Sequence, residues 1–304
     1  MSAFTTFSQD ALEEFLLNFD VGNLISWTPI RAGIENSNYF VITRKHDQER
    51  NFVLTIMEIL TFEEIPFFNS LLMHLSHYGL PVPAPQQTLE NMTSTTFCEK
   101  PTVLVPKLAG KHPVQISANH CIEIGQMLGE IHCALATTNL YRANPFDVDW
   151  MFRTIENLEH ELQEEDRLLL KKIADEYADI SELSLPRGIT HGDLFRDNAL
   201  FEGEKLTGVI DFYRACNDFL IQDIAITINE WCRTEQNDIS AELSESFIQG
   251  YESKRPLENE ERESLPNFQL AACARFTLTR LLSGVEGNRL KDPNEYMRLA
   301  ARLS

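Results

Sequence analysis

In the first third of the chain the apolar positions gather into short runs rich in β-branched and aromatic residues, and from Ser117 onward they recur every three or four places. Ser37–Arg44 and Phe52–Glu58 predict two strands, with the charged stretch Lys45–Arg50 between them suited to a hairpin turn. Gly33, Asn36, Ser37 and Asn38 precede the first strand as small residues whose backbone amides could line a phosphate; a single glycine fits a strand-initiating turn equally well. Glu63–Tyr78 reads as a helix with Phe67, Leu71, Leu72 and Leu75 on one side and Gly79 as its stop. Thr102–Pro106 is an apolar segment ending at proline, followed by Lys107 and a turn at Gly110, and it predicts a hinge between two lobes. Ser117 can cap a helix carrying Cys121, Ile124, Leu128, Ile131 and Leu135, the expected core of the second lobe; His132 on that helix fits a satisfied core histidine better than a ligand. Thr154–Ile180, with charged residues around Leu158, Leu162, Leu169 and Ile173, suggests solvated helices with one buried stripe.

The richest chemistry lies between Thr190 and Phe212, in THGDLFRDNALFEGEKLTGVIDF. Two short apolar runs flank Glu202–Lys205, which predicts a hairpin entered by a polar loop that contains Asp193. With the turn centred between Glu204 and Lys205, Asn198 falls opposite Asp211; a turn one residue earlier shifts the pairing by two positions. A carboxylate near an attacking hydroxyl and two oxygen donors for Mg²⁺ are what phosphoryl transfer from ATP requires, and Asp193, Asn198 and Asp211 can supply them. An Asp followed by an Asn in a loop also stabilises turns by itself, so the pair gains meaning only from His191 and Gly192 before it and the Val209-Ile210-Asp211-Phe212 ending after it.

Composition narrows the class. The chain has 304 residues, enough for two lobes. Its formal net charge of −20, from 26 basic and 46 acidic residues, argues against a nucleic-acid or anionic-membrane surface. It also means that a bound nucleotide needs local cations, Mg²⁺ foremost. The opening MSAFTTFSQDALEEF lacks the pattern of a signal peptide and no run approaches about 18 apolar residues, so a cytoplasmic protein is expected. Six scattered cysteines without a CxxC pair read as free, mostly buried thiols.

The stretches His191-Gly192-Asp193 through Asn198 and Ile210-Asp211-Phe212 resemble the catalytic core of the aminoglycoside phosphotransferase and choline kinase superfamily. One branch is closer: DLFRDN, VIDFYRACND and Asn229–Cys232 are similar to the bacterial homoserine kinases of this kinase-like fold. So are Gly33–Val41, Asn51–Glu58, Gly79–Pro85, Arg275–Leu282 and Lys291–Pro293. The resemblance implies an α+β, two-lobed protein-kinase-like fold: a small antiparallel sheet with one main helix over residues 1–105, and a larger, mostly helical lobe with a catalytic hairpin over 106–304. It implies ATP and Mg²⁺ as cofactors, Asp193 as the catalytic group, and Asn198 and Asp211 as metal ligands. Gly33, Asn36, Ser37 and Asn38 would form the phosphate loop, and backbone groups at Leu104, Val105 and Lys107 would receive the adenine. His191 would support the loop, and Asp223, in the Gln222–Ala225 run that starts a helix, would tie to it.

Where protein kinases place a phosphate-binding lysine paired to a helix glutamate, this chain has Thr55, as the homoserine kinase branch does. Arg31, Arg44 and Lys45 are the nearby cations, each also readable as a solvated surface charge. Homoserine as acceptor would need a guanidinium for its carboxylate, from Arg275 or Arg280, and an acid for its ammonium, from Glu230, Asp149 or Asp218. An arginine in an apolar helix such as Arg275 could instead form an internal salt bridge. Kinases of choline, methylthioribose or an aminoglycoside would share the same three residues, and Thr55 leaves a nucleotide-binding pseudokinase open.

Overall fold

The strand-rich stretch becomes a five-stranded antiparallel sheet in the computed structural model, which describes residues 5–30, 36–285 and 291–304. Its strands are β1 (Asn23–Ile30), β2 (Asn36–Lys45), β3 (Gln48–Met57), β4 (Thr95–Phe97) and β5 (Lys100–Pro106), in the order β1-β2-β3-β5-β4. Only His46 and Asp47 make the β2–β3 turn, with φ of 49° and 61°; Lys45 pairs with Gln48, so most of the charged stretch extends the strands. Two left-handed residues give the tight turn whose twist matches its strands, and Cys98–Glu99 repeats the device between β4 and β5.

Helix α1 (Gln9–Leu16) begins at Ser8, whose hydroxyl accepts the Ala11 N–H at 3.2 Å. Its Leu12, Phe15 and Leu16 join Tyr39, Val41, Phe52, Leu54, Ile56 and Leu104 in one apolar cluster. Side chains alternate across a strand, so Asn38, Phe40, Val53, Thr55, Val103 and Val105 lie on the opposite face. Helix α2 (Ile65–His77) has Pro66 in its first turn and stops before Gly79, whose φ of 80° ends it. This first compact unit is Met1–Gly110 together with Thr207–Ile210. It runs past residue 105 because the turn after β5 is tied in: Thr207 Oγ1 donates to Ala109 O at 2.7 Å, and Val209 N to Pro81 O at 3.0 Å.

The second unit, Lys111–Leu206 with Asp211–Ser304, is mostly helical. Helix α3 (Ala118–Leu135) starts at a capping box in which Ser117 and His120 satisfy each other's backbone N–H. Helices α4 (Val148–Asn157) and α5 (Glu164–Ser181) bury Leu158, Leu170, Ile173 and Tyr177, whereas Leu162 and Leu169 stay partly exposed; the stripe leads through the next residue of α5. Strand β6 (Arg187–Thr190) leads to the loop with Asp193. The hairpin of β7 (Ala199–Glu202) and β8 (Lys205–Val209) follows, and β9 (Cys216–Phe219) then pairs back antiparallel with β6. Helices α6 (Leu220–Trp231), α7 (Ala241–Glu252), α8 (Asn259–Val285) and α9 (Asn294–Leu303) complete it. All six cysteines are free, four of them buried. Among the described residues no helix is long and apolar enough to cross a membrane.

Helices α3 and α7 cross with their backbones in contact. A Cβ on Gly125 would sit 2.2 Å from Phe247 O, and one on Gly250 2.2 Å from Ile122 O, distances that no methyl group tolerates. Gly250→Ala is therefore expected to push the helices apart at a cost of about 2–3 kcal/mol, a Tm loss of roughly 4–12 °C in calorimetry. An unchanged Tm would show that the crossing can yield.

Candidate active site

The loop that carries Asp193 is held from behind by a buried carboxylate. Asp223, fully buried in the first turn of α6, accepts the His191 N–H through Oδ2 at 2.6 Å and the Gly192 N–H through Oδ1 at 2.9 Å. Gly192 has φ +75°, and a Cβ there would meet Arg214 O at 2.9 Å, so the turn is closed to any side chain. His191, itself buried, turns its ring Nδ1 toward the Asp193 N–H at 3.3 Å and packs at a tilt against Phe212, with ring centres 4.4 Å apart. Farther along, the buried Trp231 donates its indole N–H to Leu194 O at 2.9 Å, and Arg196 donates to Glu230 O at 2.7 and 3.0 Å.

Asn198 ends a 3₁₀ turn, Arg196–Asn198, and its Nδ2 donates to the Asp193 carbonyl at 2.7 Å and to the Asp193 carboxylate at 3.2 Å. Asp211 is left-handed, with φ 64° and ψ 59°, between the end of β8 and the 3₁₀ turn Phe212–Arg214. The expected register does not hold. The turn consists of Gly203 and Glu204, one residue earlier than expected, and Gly203 takes the left-handed φ of 62° that the tight turn needs. Asn198 and Asp211 are thus not paired in the ladder; each lies just outside its strand, Asp211 in a left-handed bend after β8.

Electrostatics bring these groups together. Burial and then the charge of Asp211 push the Asp193 carboxyl up to about 7, while Arg275, Arg214 and Lys291 pull it down. A divalent cation beside it would add to that downward pull. Asn198 Oδ1 accepts no hydrogen bond among the described residues, and with the Asp211 carboxylate it makes an oxygen-only donor pair. No cluster of three or more His, Cys, Asp or Glu suited to a metal occurs among the described residues. The pair fits Mg²⁺, which takes one or two protein ligands and fills its shell with water and phosphate oxygens.

Arg275 is the other feature of this corner. It is 6% exposed on α8, its Nε has no hydrogen-bond partner, and it forms no ion pair among the described residues. Its guanidinium lies 4.4 Å from the Phe146 ring centre, and that of Arg214 lies 5.5 Å from the same ring. Burial lowers the Arg275 pKa, with Cys216, Asp193 and Asp218 as the nearby groups that oppose it. Asp218 accepts from Asn144 Nδ2 at 3.0 Å, and burial raises its carboxyl to about 6. Arg214 and Trp231 fall inside the VIDFYRACND and Asn229–Cys232 stretches that carry the resemblance, though the sequence assigns a role to neither; nothing in the sequence marked Phe146 or Asn144.

Other expected positions have different surroundings. Glu230 accepts from Arg233 at 2.8 Å and from the Tyr296 hydroxyl at 2.9 Å, and Arg280 is paired with Glu295 at 2.6 Å; both belong to an internal ionic network rather than to an open binding surface. Asp149 is exposed in the first turn of α4, which follows Phe146. In the first unit, Gly33 and Arg31 lie outside the described residues. The Ser37 hydroxyl is buried on the α1 face, bonded to Glu58 and accepting the Thr5 N–H at 2.9 Å, so its side chain is turned away from the face that carries Asn38 and Thr55. Asn36 Oδ1 accepts from Glu58 N at 3.4 Å. Lys100 pairs with Glu58 on that α1 side and does not stand in for a lysine at Thr55. Arg44 pairs with Glu49 and Lys45 with Asp20. Leu104 and Val105 are in the ladder with β3, and the Lys107 N–H is taken by Asn51 O at 3.0 Å; the Lys107 ammonium lies 4.6 Å from the Phe40 ring centre. The Lys107 amide is therefore already used in the sheet.

Comparison with known proteins gives the chain its place. A model of the phosphotransferase enzyme family matches residues 26–259. The chain is 38% identical over 309 residues to a homoserine kinase of Pseudomonas aeruginosa strain LESB58, covering 99% of this chain and 96% of that protein. It is 38% identical over 308 residues to a homoserine kinase of Neisseria meningitidis serogroup B, strain MC58, covering all of both. Among solved structures it is similar to an amicoumacin kinase in complex with AMP-PNP, Ca²⁺ and Ami, with TM-score 0.76 and 16% identity over 98% of this chain and 92% of that one. A choline kinase from Cryptosporidium parvum gives TM-score 0.67 and 14% identity over 97% and 94%. These likenesses bear out the expected kinase-like α+β fold, and with a family model spanning most of its length and near-complete relatives at this identity, the chain belongs to the phosphotransferase enzyme family.

Proposed function

We propose that this chain transfers the γ-phosphate of ATP to the hydroxyl of L-homoserine, giving O-phospho-L-homoserine and ADP, a step of threonine biosynthesis. The observation that carries the acceptor is Arg275: a buried guanidinium whose Nε has no hydrogen-bond partner and which forms no ion pair among the described residues, near the carboxylate that would receive the hydroxyl. An unpaired buried cation is costly, and an acceptor carboxylate would relieve it with charge-assisted hydrogen bonds. Arg214, on the same Phe146 ring, would add to the attraction. The near-full-length similarity to homoserine kinases supports the same substrate. Asp149, exposed, and Asp218, buried near Arg275, are the acids available for the ammonium; Glu230 is engaged elsewhere.

Asp193 orients the hydroxyl and takes its proton late, as the new bond from that oxygen to the γ-phosphorus forms and the bond to the β–γ bridging oxygen breaks. Asn198 holds the Asp193 carboxylate in place through its Nδ2. Asn198 Oδ1 and Asp211 would hold Mg²⁺, which when bound neutralises charge on the phosphates. Transfer is direct, with no phosphoenzyme. For ATP, backbone groups around Asn36 and Asn38 and near Leu104 and Val105 are the proposed contacts, together with Gly33; the adenine edge would use groups other than the Lys107 amide.

Two outcomes follow. With Mg²⁺-ATP, ADP release is expected with homoserine and not with choline, methylthioribose, an aminoglycoside or no acceptor, and Asp193→Asn is expected to lower turnover by roughly 10²–10⁴-fold. Turnover with another acceptor would overturn the substrate and keep the chemistry. Arg275→Ala should raise the homoserine KM by about 10- to 150-fold, the value of a charged hydrogen-bonded pair, with the ATP KM nearly unchanged. A similar rise in both, measured by steady-state kinetics, would mean that Arg275 supports the fold instead.

A further inference from the structure

A continuous line of hydrogen bonds runs from Asp223 through three more elements of the second unit. His132 Nε2 on α3 meets Asp223 Oδ2 at 3.1 Å, and His132 Nδ1 meets the Tyr251 hydroxyl on α7 at 2.8 Å. Arg255 Nη1, in the turn after α7, reaches the same hydroxyl at 3.2 Å, and its guanidinium forks onto Glu261 on α8 at 3.0 and 3.1 Å. Asp223, Tyr251 and Glu261 are fully buried and His132 is 2% exposed.

One set of bond directions satisfies both ends of the line. Arg255 has only donors, so the Tyr251 oxygen accepts from it, and the Tyr251 O–H is free to donate to His132 Nδ1. Burial raises the pKa of the Tyr251 hydroxyl, so it keeps the proton it donates. His132 then carries its hydrogen on Nε2 and gives that bond to Asp223. Burial by itself would raise the Asp223 carboxyl, but the bonds from His132 and from the Gly192 backbone hold it below its ordinary value, ionised and accepting. One tautomer of His132 satisfies the whole line. The glycine crossing of α3 and α7 makes it possible, since Gly250, whose absent Cβ lets the backbones touch, immediately precedes Tyr251.

We propose that His132 and Tyr251, anchored by the Arg255–Glu261 pair, are positioning residues for phosphoryl transfer: they fix the orientation of the Asp223 carboxylate, and through it the His191–Gly192 backbone that sets Asp193. The proposal rests on the reading of Asp193 as the group that orients the acceptor hydroxyl. None of these four side chains is expected to touch either substrate, so their effect falls on the geometry of the reacting groups and not on binding. A displacement of about 1 Å at such a distance from the chemistry can cost about 10²-fold in rate.

The test compares Tyr251→Phe, which keeps the ring and removes one hydroxyl, with the parent and with Asp193→Asn, using homoserine and Mg²⁺-ATP. The expected result is a kcat lower by about 10- to 100-fold, with KM for both substrates nearly unchanged. His132→Gln, whose amide N–H can replace the Nε2–H, should retain more kcat than His132→Leu. In the parent, the ¹⁵N spectrum of the His132 ring should show Nε2 protonated, and the Nδ1 signal should move in Tyr251→Phe. A parental kcat in Tyr251→Phe, with Asp193→Asn inactive, overturns the relay alone. So does a fall in kcat matched by rises in both KM values, the mark of a loosened fold. Turnover that persists in Asp193→Asn overturns the reading beneath it.

Discussion

The Asp223 carboxylate, sealed in the first turn of α6, is the constraint on which the arrangement of the second unit's chemistry depends. It satisfies two successive backbone N–H groups of a loop that no ladder or helix would otherwise hold. A buried N–H left without an acceptor costs about 1–3 kcal/mol, so the loop has one low-energy shape while that carboxylate is present. The shape includes a left-handed glycine pressed against Arg214 O, and it delivers Asp193 to the same small volume as Asn198, Asp211 and Arg275. Secondary structure matters here mainly for what it places: β6 and β9 pair so that the loop leaves one strand and α6 follows directly from the other.

A chain with a formal charge of −20 has to concentrate its cations where anions are wanted. Arg214, Arg275 and Lys291 all act on Asp193. The surface arginines and lysines of the sheet, by contrast, are spent on pairs such as Arg44–Glu49, which contribute little in water. In the first unit, strand alternation separates a polar knot of Ser37, Glu58 and Lys100 on the α1 face from Asn38 and Thr55 on the other. With Thr55 in place of a lysine, the Asn38–Thr55 pair on that second face carries no charge, and the charged residues of the face in β2 and β3, Arg44 and Glu49, pair with each other at the far end of the hairpin.

Much of this was legible in the sequence, and the reasons differ by element. Long periodic segments announced themselves: the helix capped at Ser117 and the strands around Tyr39 and Leu54 carry enough apolar repeats to outvote local noise. The Thr190–Phe212 segment could be read because its chemistry is contiguous. The hairpin register could not be read, because Gly203 and Glu204 compete with their neighbours for the same turn and a single residue decides the pairing. Strands β6 and β9 exist only by pairing across a long loop, and four residues carry no period of their own. The role of Glu230 depends not only on nearby Arg233 but also on Arg196 and Tyr296, distant in the chain and brought to it only by packing. That Arg275 forms no ion pair among the described residues is likewise a fact about what fails to reach it.

The crossing of α3 and α7 also bears on how such a protein can change over time. At Gly125 and Gly250 every heritable substitution adds atoms where a backbone carbonyl already stands. Neither position can drift alone, and a compensating change would have to move a whole helix. Phe146 and Asn144, by contrast, sit on a connecting segment outside any helix or strand. The crossing that brings Tyr251 to His132 is thus the part of the scaffold least open to single substitution.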